Sequence, residues 1–426
     1  MDRDDTVLFR STLRPMSRAL GLYMHIPFCR VKCPYCSFVV YTRRAHVRED
    51  YLDALITELG LRIASLTEED ARVTRSPDGR FPLSTIYLGG GTPSLLSTET
   101  LGRLLDAVRS RFALLDDVEV TVETEPGTTD AETFAALAGH GVNRVTIGVQ
   151  SFDDAHLATL GRAHSADDAR SAIVACREGG ITNLDLDLMF GLPGQTLASW
   201  RADLAEAVSH APEHLSLYNL TVEPGTPFAQ RAARGTLSLP EEETQAEMMR
   251  AAISTSAEAG LVHYEISNFA RPGFASRHNR SYWTGDAYLG IGVGAHGFLP
   301  GGGAQGLGRR WWNVRAPEHY VDTVREGNLP EEGAEDLDRE AALLEALYLG
   351  LRQRSGLDLD SLPRRFGVRL APEADALLED FAHCGLITRD SQTIKLTQES
   401  VIIADYAISK LAGLLDTAVG SDTVTS

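Results

Sequence analysis

A disulfide framework, a surplus of basic residues and a long apolar run are all missing from this 426-residue chain. It has only five cysteines, irregularly spaced, which is no pattern for a stapled secreted domain. The formal net charge of -19 argues against free nucleic acid as the main partner, because phosphate binding needs a basic surface. No apolar stretch reaches the length of a membrane span, and the N-terminus lacks the apolar core of a signal peptide. These absences lead us to expect a cytoplasmic protein that does not span a membrane and keeps its thiols reduced; peripheral membrane contact stays compatible with them. Apolar residues make up 43% and charged residues 23%, ordinary values for a globular chain long enough for two or three domains.

Three of the five cysteines sit within eight residues, as Cys29-x3-Cys33-x2-Cys36. Thiolates this close can grip one soft centre, either zinc or an iron–sulfur cluster. Closed structural sites take four ligands, and Cys176 and Cys384 are far away in sequence. One reading is an iron–sulfur cube with one iron left open to an outside ligand. The other is a zinc knot completed by a histidine such as His25. Around this loop the charge reverses. The first 48 residues hold nine arginines and lysines against three aspartates, a basic collar that suits an anionic ligand or an acidic electron donor.

Downstream, apolar strands alternate with amphipathic helices. Strands are expected over 21–28, 85–88, 118–122, 144–150, 183–190 and 214–220, with helices at 48–66, 98–113, 130–140, within 153–178, and at 197–209. Six βα repeats imply an α/β fold with a parallel sheet, either barrel-like or doubly wound. Both place their chemistry at the strand C-termini. There lie Gly89-Gly90-Gly91-Thr92-Pro93, Glu123, Glu125, Gln150 and Asp187. Glycines without a Cβ let the backbone approach the amino and carboxylate groups of an amino-acid-like ligand. Converging carboxylates suit a hydroxylated cation, and Arg162 offers a carboxylate partner. Residues 241–333 read as a less regular connecting region with one helix at 241–259. From about 334 to 415, helices followed by a hairpin around Asp390-Ser391 suggest a winged-helix-like module. Residues 1–20 form a lead-in, 21–240 the βα domain, and 416–426 a polar tail.

The cysteine loop after the first strand, with Tyr35 just before the last cysteine, resembles the radical S-adenosylmethionine (SAM) superfamily. His25-Ile26-Pro27-Phe28-Cys29, Gly89-Gly90-Gly91-Thr92-Pro93-Ser94, Gly148-Val149-Gln150-Ser151-Phe152 and Asp187-Leu188-Met189-Phe190-Gly191-Leu192-Pro193 narrow the likeness to the oxygen-independent coproporphyrinogen III oxidase group. The decarboxylating branch carries a further cysteine two positions after the third, where this chain has Phe38. The HemW heme-chaperone branch lacks it and carries an H-N-x-x-Y-W phrase, present here as His278-Asn279-Arg280-Ser281-Tyr282-Trp283. The resemblance to HemW implies a partial (β/α)6 TIM-like barrel and a [4Fe-4S] cluster on Cys29, Cys33 and Cys36. It implies SAM bound by Tyr23, Tyr35, Gly90, Gly91, Thr92, Glu123, Gln150, Arg162 and Asp187, with Glu125 as an alternative to Glu123. It further implies heme on His278, with Tyr282 and Trp283 against the porphyrin. Acceptor hemoproteins and an acidic donor such as a flavodoxin follow as partners. Coproporphyrinogen decarboxylation is the competing enzymatic reading, and a winged-helix regulator a third.

Overall fold

Side chains alternate between two environments along every strand of the parallel sheet, and this alternation builds the molecule. On β1 (Leu20–Ile26), Leu20, Leu22, Met24 and Ile26 point to the helix layer and are buried, while Gly21, Tyr23 and His25 face the lumen. β2 (Pro82–Gly90) repeats the pattern with Ile86 and Leu88 outward and Thr85 and Tyr87 inward. β3 (Ala113–Thr124), β4 (Arg144–Gln150), β5 (Leu184–Phe190) and β6 (His214–Asn219) continue it. Valines and leucines pack outward against the helices; Glu119, Thr121, Glu123, Arg144, Thr146, Asp185, Asp187, His214 and Ser216 share the opposite face. The structure, a computed structural model, describes residues 19–43, 45–362 and 372–412. Most of the lead-in, the arginines at 3, 10, 14, 18 and 44 of the basic collar, the end of the last helix and the polar tail lie outside the described residues.

Strands β1 to β6 are neighbours in chain order and all parallel, the partial (β/α)6 barrel expected from the sequence. The connecting helices start where capping residues predict. Asp130 accepts from the Thr133 amide at 2.9 Å to open the helix Ala131–Gly139, and Ser165 and Asp168 form a reciprocal capping box on Ala166–Glu178.

Residues 241–333, read from sequence as a connecting region, add strands to this same sheet. β7 (Val262–His263) and β8 (Asn268–Ala270) extend it beyond β6 in antiparallel fashion. β9 (Tyr288–Ile291) pairs parallel with β1, and β10 (His296–Leu299), β11 (Arg309–Asn313) and β12 (Glu331–Asp336) follow antiparallel. The result is one twelve-stranded sheet. Buried Glu58 ties the extension to the helix Arg48–Ser65: it accepts from Tyr320 Oη (2.6 Å), Asn313 Nδ2 (2.7 Å), the Gly292 amide (2.8 Å) and Arg62 Nε (3.2 Å).

The C-terminal module packs helices Arg339–Arg352, Pro372–His383 and Ala404–Ala412 with a three-stranded sheet. Its strands are β13 (Leu357–Asp358), β14 (Ile387–Arg389) and β15 (Thr393–Leu396), and β14 and β15 form the hairpin expected around Asp390.

Candidate functional site

The cysteine loop leaves the C-terminal end of β1 and is fixed by backbone bonds before any ligand is considered. Tyr41 donates its amide to Pro27 O (2.7 Å) and accepts from the Cys29 amide (3.1 Å). The glycine-rich turn after β2 crosses beneath: Gly91 N donates to Ile26 O at 2.9 Å and Thr92 N to Phe28 O at 2.8 Å. A Cβ on Gly91 would lie 2.6 Å from Ile26 O, so only glycine permits this approach. Pro34 O accepts from the Phe228 amide (3.0 Å), and the Tyr35 ring packs on Phe228 in a small apolar core with Leu160, Met189, Leu192 and Leu220. Tyr35 thus anchors the far side of the loop.

The three thiols are free of disulfides, with Cys33 buried and Cys29 and Cys36 half-buried. Burial pushes the Cys29 thiol up to about 11, against a hydrogen bond from Thr92 Oγ1 at 3.7 Å, and burial also raises Cys36. Iron would have to displace these protons, as metals do on binding thiols. Arg162 Nη1 donates to Cys33 Sγ at 3.6 Å. His25 does not turn toward the thiols: its Nδ1 meets Tyr23 Oη (2.9 Å) and its Nε2 meets Val39 O (2.8 Å). Burial holds it neutral, down to about 4. Among the described residues, no three His, Cys, Asp or Glu side chains converge on one ion position. This donor set suits a cube, which spreads its thiolates over separate irons, better than a zinc knot closed by His25.

Above the lumen the candidate cofactor residues surround the β-strand ends. Glu123 Oε1 accepts from Tyr87 Oη (2.7 Å) and its Oε2 from the Gly90 amide (2.9 Å); burial raises its pKa. Glu125 lies beyond the end of β3 and meets Arg162 at 3.4 Å and Arg30 at 3.6 Å rather than the Gly90 turn. Arg162 also donates to Gly148 O at 3.2 Å. Gln150 holds φ +66°, a left-handed backbone that a residue with a side chain rarely adopts. Asp187 Oδ1 is buried with no hydrogen-bond partner, and burial together with Asp185 and Glu123 raises its pKa well above the usual carboxylate range. An unpartnered buried oxygen costs free energy, so this one is placed for a ligand N–H or O–H donor. The glycine cradle, the strained glutamine and the orphaned carboxylate oxygen fit a cofactor with amino, carboxylate and hydroxyl groups.

The H-N-x-x-Y-W phrase forms a short helix, Arg277–Thr284, at the lower end of the lumen. Glu119 accepts from the amides of Arg277 and His278, both at 3.0 Å. His278 is buried; Nδ1 meets Thr85 Oγ1 and Nε2 meets Tyr282 Oη, each at 2.8 Å. Its ring stacks on Tyr87 at 5.0 Å and on Tyr23 at 6.3 Å, and burial lowers its pKa to about 3. It is neither a surface histidine nor a helix cap. Trp283 lies outside the lumen, against the C-terminal module.

Comparison with known proteins decides the kinship. The radical SAM superfamily pattern matches residues 23–207 and the HemN C-terminal domain pattern residues 337–402. A Bacillus subtilis protein named heme chaperone HemW is 36% identical over 394 residues, covering 92% of this chain and 99% of its own length. A Mycobacterium tuberculosis protein of the same name is 37% identical over 94% of this chain and 97% of its own. The chain belongs to the HemW family. Among solved structures, coproporphyrinogen III oxidase (HemN) from Escherichia coli superimposes with a TM-score of 0.76 at 24% identity, covering 98% of this chain and 94% of that one, a likeness of fold. No helix among the described residues is long and apolar enough to cross a membrane.

Several residues around this HemW-family site escaped the sequence reading. His25, weighed from the sequence as a zinc ligand, instead braces Tyr23, and Tyr51 Oη, which the sequence reading passed over, donates to His25 O at 2.8 Å. Tyr87 holds Glu123, and Arg30 donates to Pro126 O (3.1 Å) and Gly127 O (3.3 Å), tying the cysteine loop to the end of β3. Tyr87 was legible: it alternates with Thr85 and Gly89 on a strand whose end was already suspected. Arg30 and Tyr51 act across long sequence separations and gave no local signal.

Proposed function

We propose that this chain is a heme chaperone, binding heme and passing it to acceptor hemoproteins in the cytoplasm. In this reading Cys29, Cys33 and Cys36 hold a [4Fe-4S] cluster, and SAM exchanges at its open iron. The observation that carries the reading is the three-thiol loop without a fourth cysteine: Phe38 occupies that position, 65% exposed. Similarity over nearly the whole length of proteins named heme chaperones supports it further.

When bound, the cluster would supply one-electron redox chemistry beside SAM. The protein's own residues do the rest. Gly90, Gly91 and Thr92 keep the strand end open for the methionine part. Glu123, Gln150 and Asp187 present acceptors to amino and hydroxyl groups, Arg162 offers its guanidinium beside Cys33, and Tyr23 and Tyr35 bound the pocket. His278 supplies an imidazole for heme iron, with Tyr282 against it, while Trp283, expected from the motif to meet the porphyrin, lies on the helix's other face against the C-terminal module. Arg30 and Lys32, in the cysteine loop, offer positive charge to an acidic electron donor such as a flavodoxin.

The test is anaerobic reconstitution with iron and sulfide, then hemin titration followed by absorption and transfer to an apo-hemoprotein. Wild type should bind and transfer heme, and His278→Ala should bind at least about tenfold more weakly, equivalent to about 1.4 kcal/mol. Decarboxylation of coproporphyrinogen III by the reduced, SAM-loaded protein would overturn the chaperone reading in favour of an oxidase.

A further inference from the structure

Arg162 touches the cysteine loop as well as the proposed SAM pocket. It follows Gly161, which holds φ +64° where the chain runs against Pro34, and a Cβ on Gly161 would lie 2.8 Å from Pro34 Cδ. Only glycine therefore lets this turn close on the residue after Cys33. The guanidinium spreads its donors over that contact. Nη1 donates to Cys33 Sγ at 3.6 Å, Nη2 donates to Gly148 O at 3.2 Å, and Nη2 also meets Glu125 Oε1 at 3.4 Å. Nε is buried with no hydrogen-bond partner, so the group is not seated to satisfy all of its own donors.

Charge beside Cys33 is uneven. Glu125 lies between Arg162 and Arg30, 3.6 Å from the latter, so one carboxylate faces two guanidiniums. The side chains of Arg162 and Glu125 are 12% and 10% exposed and that of Arg30 38%, so water screens Arg30 most and the Arg162 contact with sulfur least. Taking up an electron adds negative charge to an iron–sulfur cluster. Hydrogen bonds to its sulfurs, nearby charge and solvent exposure set how favourable that is. From this placement, and resting on the three-cysteine cluster proposed above, we infer that Arg162 sets the reduction potential of that cluster. Its N–H on Cys33 Sγ favours the reduced form, and the Glu125 carboxylate beside it opposes that effect.

The test is an anaerobic potentiometric titration of the reconstituted full-length chain without SAM, following cluster absorption and electron paramagnetic resonance. Arg162→Gln should shift the reduced-to-oxidised ratio at fixed potential about tenfold toward the oxidised form, about 59 mV lower for one electron. Arg162→Lys, which keeps the charge and loses the planar fork, should fall between that variant and wild type. Glu125→Gln should move the ratio the other way, about two- to fivefold toward the reduced form. Loosened packing of the loop would shift both charge variants in one direction, so opposite signs mark the electrostatic effect. Should Arg162→Gln hold no cluster, the potentials of Arg162→Lys and Glu125→Gln decide. Unchanged potentials in the arginine variants, or a Glu125→Gln shift toward the oxidised form, overturn the inference and leave the cluster reading standing. A wild-type chain that takes up no four-iron cluster overturns that reading and the inference with it.

Discussion

Glu265 shows what single residues do here beyond the recognised motifs. It is almost fully buried, with one carboxylate oxygen unpartnered and the other accepting weakly from the Ser267 amide at 3.3 Å. Burial pushes it up to about 7. Because the folded pKa is raised, the folded state keeps a proton that the unfolded chain loses near 4.5. Its contribution to stability is therefore intact below that value and declines as pH rises toward 7, by up to about 3 kcal/mol. We expect Glu265→Gln to match wild type in urea unfolding at pH 4.5 and to exceed it by up to that amount at pH 8. An equal difference at both pH values would refute this. Glu265 illustrates the limit of reading residues from sequence. The cysteines and glycines announce themselves because their chemistry is written in spacing. A buried glutamate next to a module 88 residues further along, where it bridges Gln353, has no spacing signature.

At the scale of elements, the helix Arg277–Thr284 depends on its first turn. Its eight residues are too few to be stable alone, and three of them are charged or histidine near the start. What holds it is Ser276 as N-cap, accepting from the Asn279 amide at 3.2 Å, and the Glu119 carboxylate on two further amides. A carboxylate there also complements the positive end of the helix dipole. Gly285, at φ 68°, closes the other end. Glu119→Ala should cost about 1–3 kcal/mol of global stability by leaving one buried and one partly buried amide without their acceptor. It should also speed amide exchange selectively in 277–284 relative to β1–β6, and uniform exchange would contradict the assignment. The cap signals at Ser276 and Gly285 were present in the sequence, but without an apolar stripe they do not separate a short helix from a turn. Glu119 sits inside an expected strand, and only the tertiary fold brings it under the helix.

The whole molecule owes its stability to the sheet and its helices rather than to the cysteine loop. The six parallel strands were legible because each βα repeat is local. Strands β7–β12 were not: they are two to six residues long, and β9 joins β1 across more than 260 residues, so no local pattern names the partner. That architecture makes a clear demand of the cluster. In small zinc domains metal binding is folding, and chelation unfolds them. Here the loop is fixed without metal, by Tyr41 against Pro27 and Cys29, by Phe228 against Pro34, and by Thr92 against Phe28. The fold around it already buries a continuous core. Replacing Cys29, Cys33 and Cys36 together by alanine should abolish cluster absorption yet leave unfolding within about 1 kcal/mol of the cluster-free wild type. SAM should behave oppositely. At a hundredfold excess over its dissociation constant it should stabilise reconstituted wild type by about 2.7 kcal/mol and leave the triple variant unmoved. Equal SAM stabilisation of both proteins would mean that the lumen residues bind SAM without the thiols. Collapse of the triple variant would mean that the cluster, and not the sheet, holds this end of the barrel together.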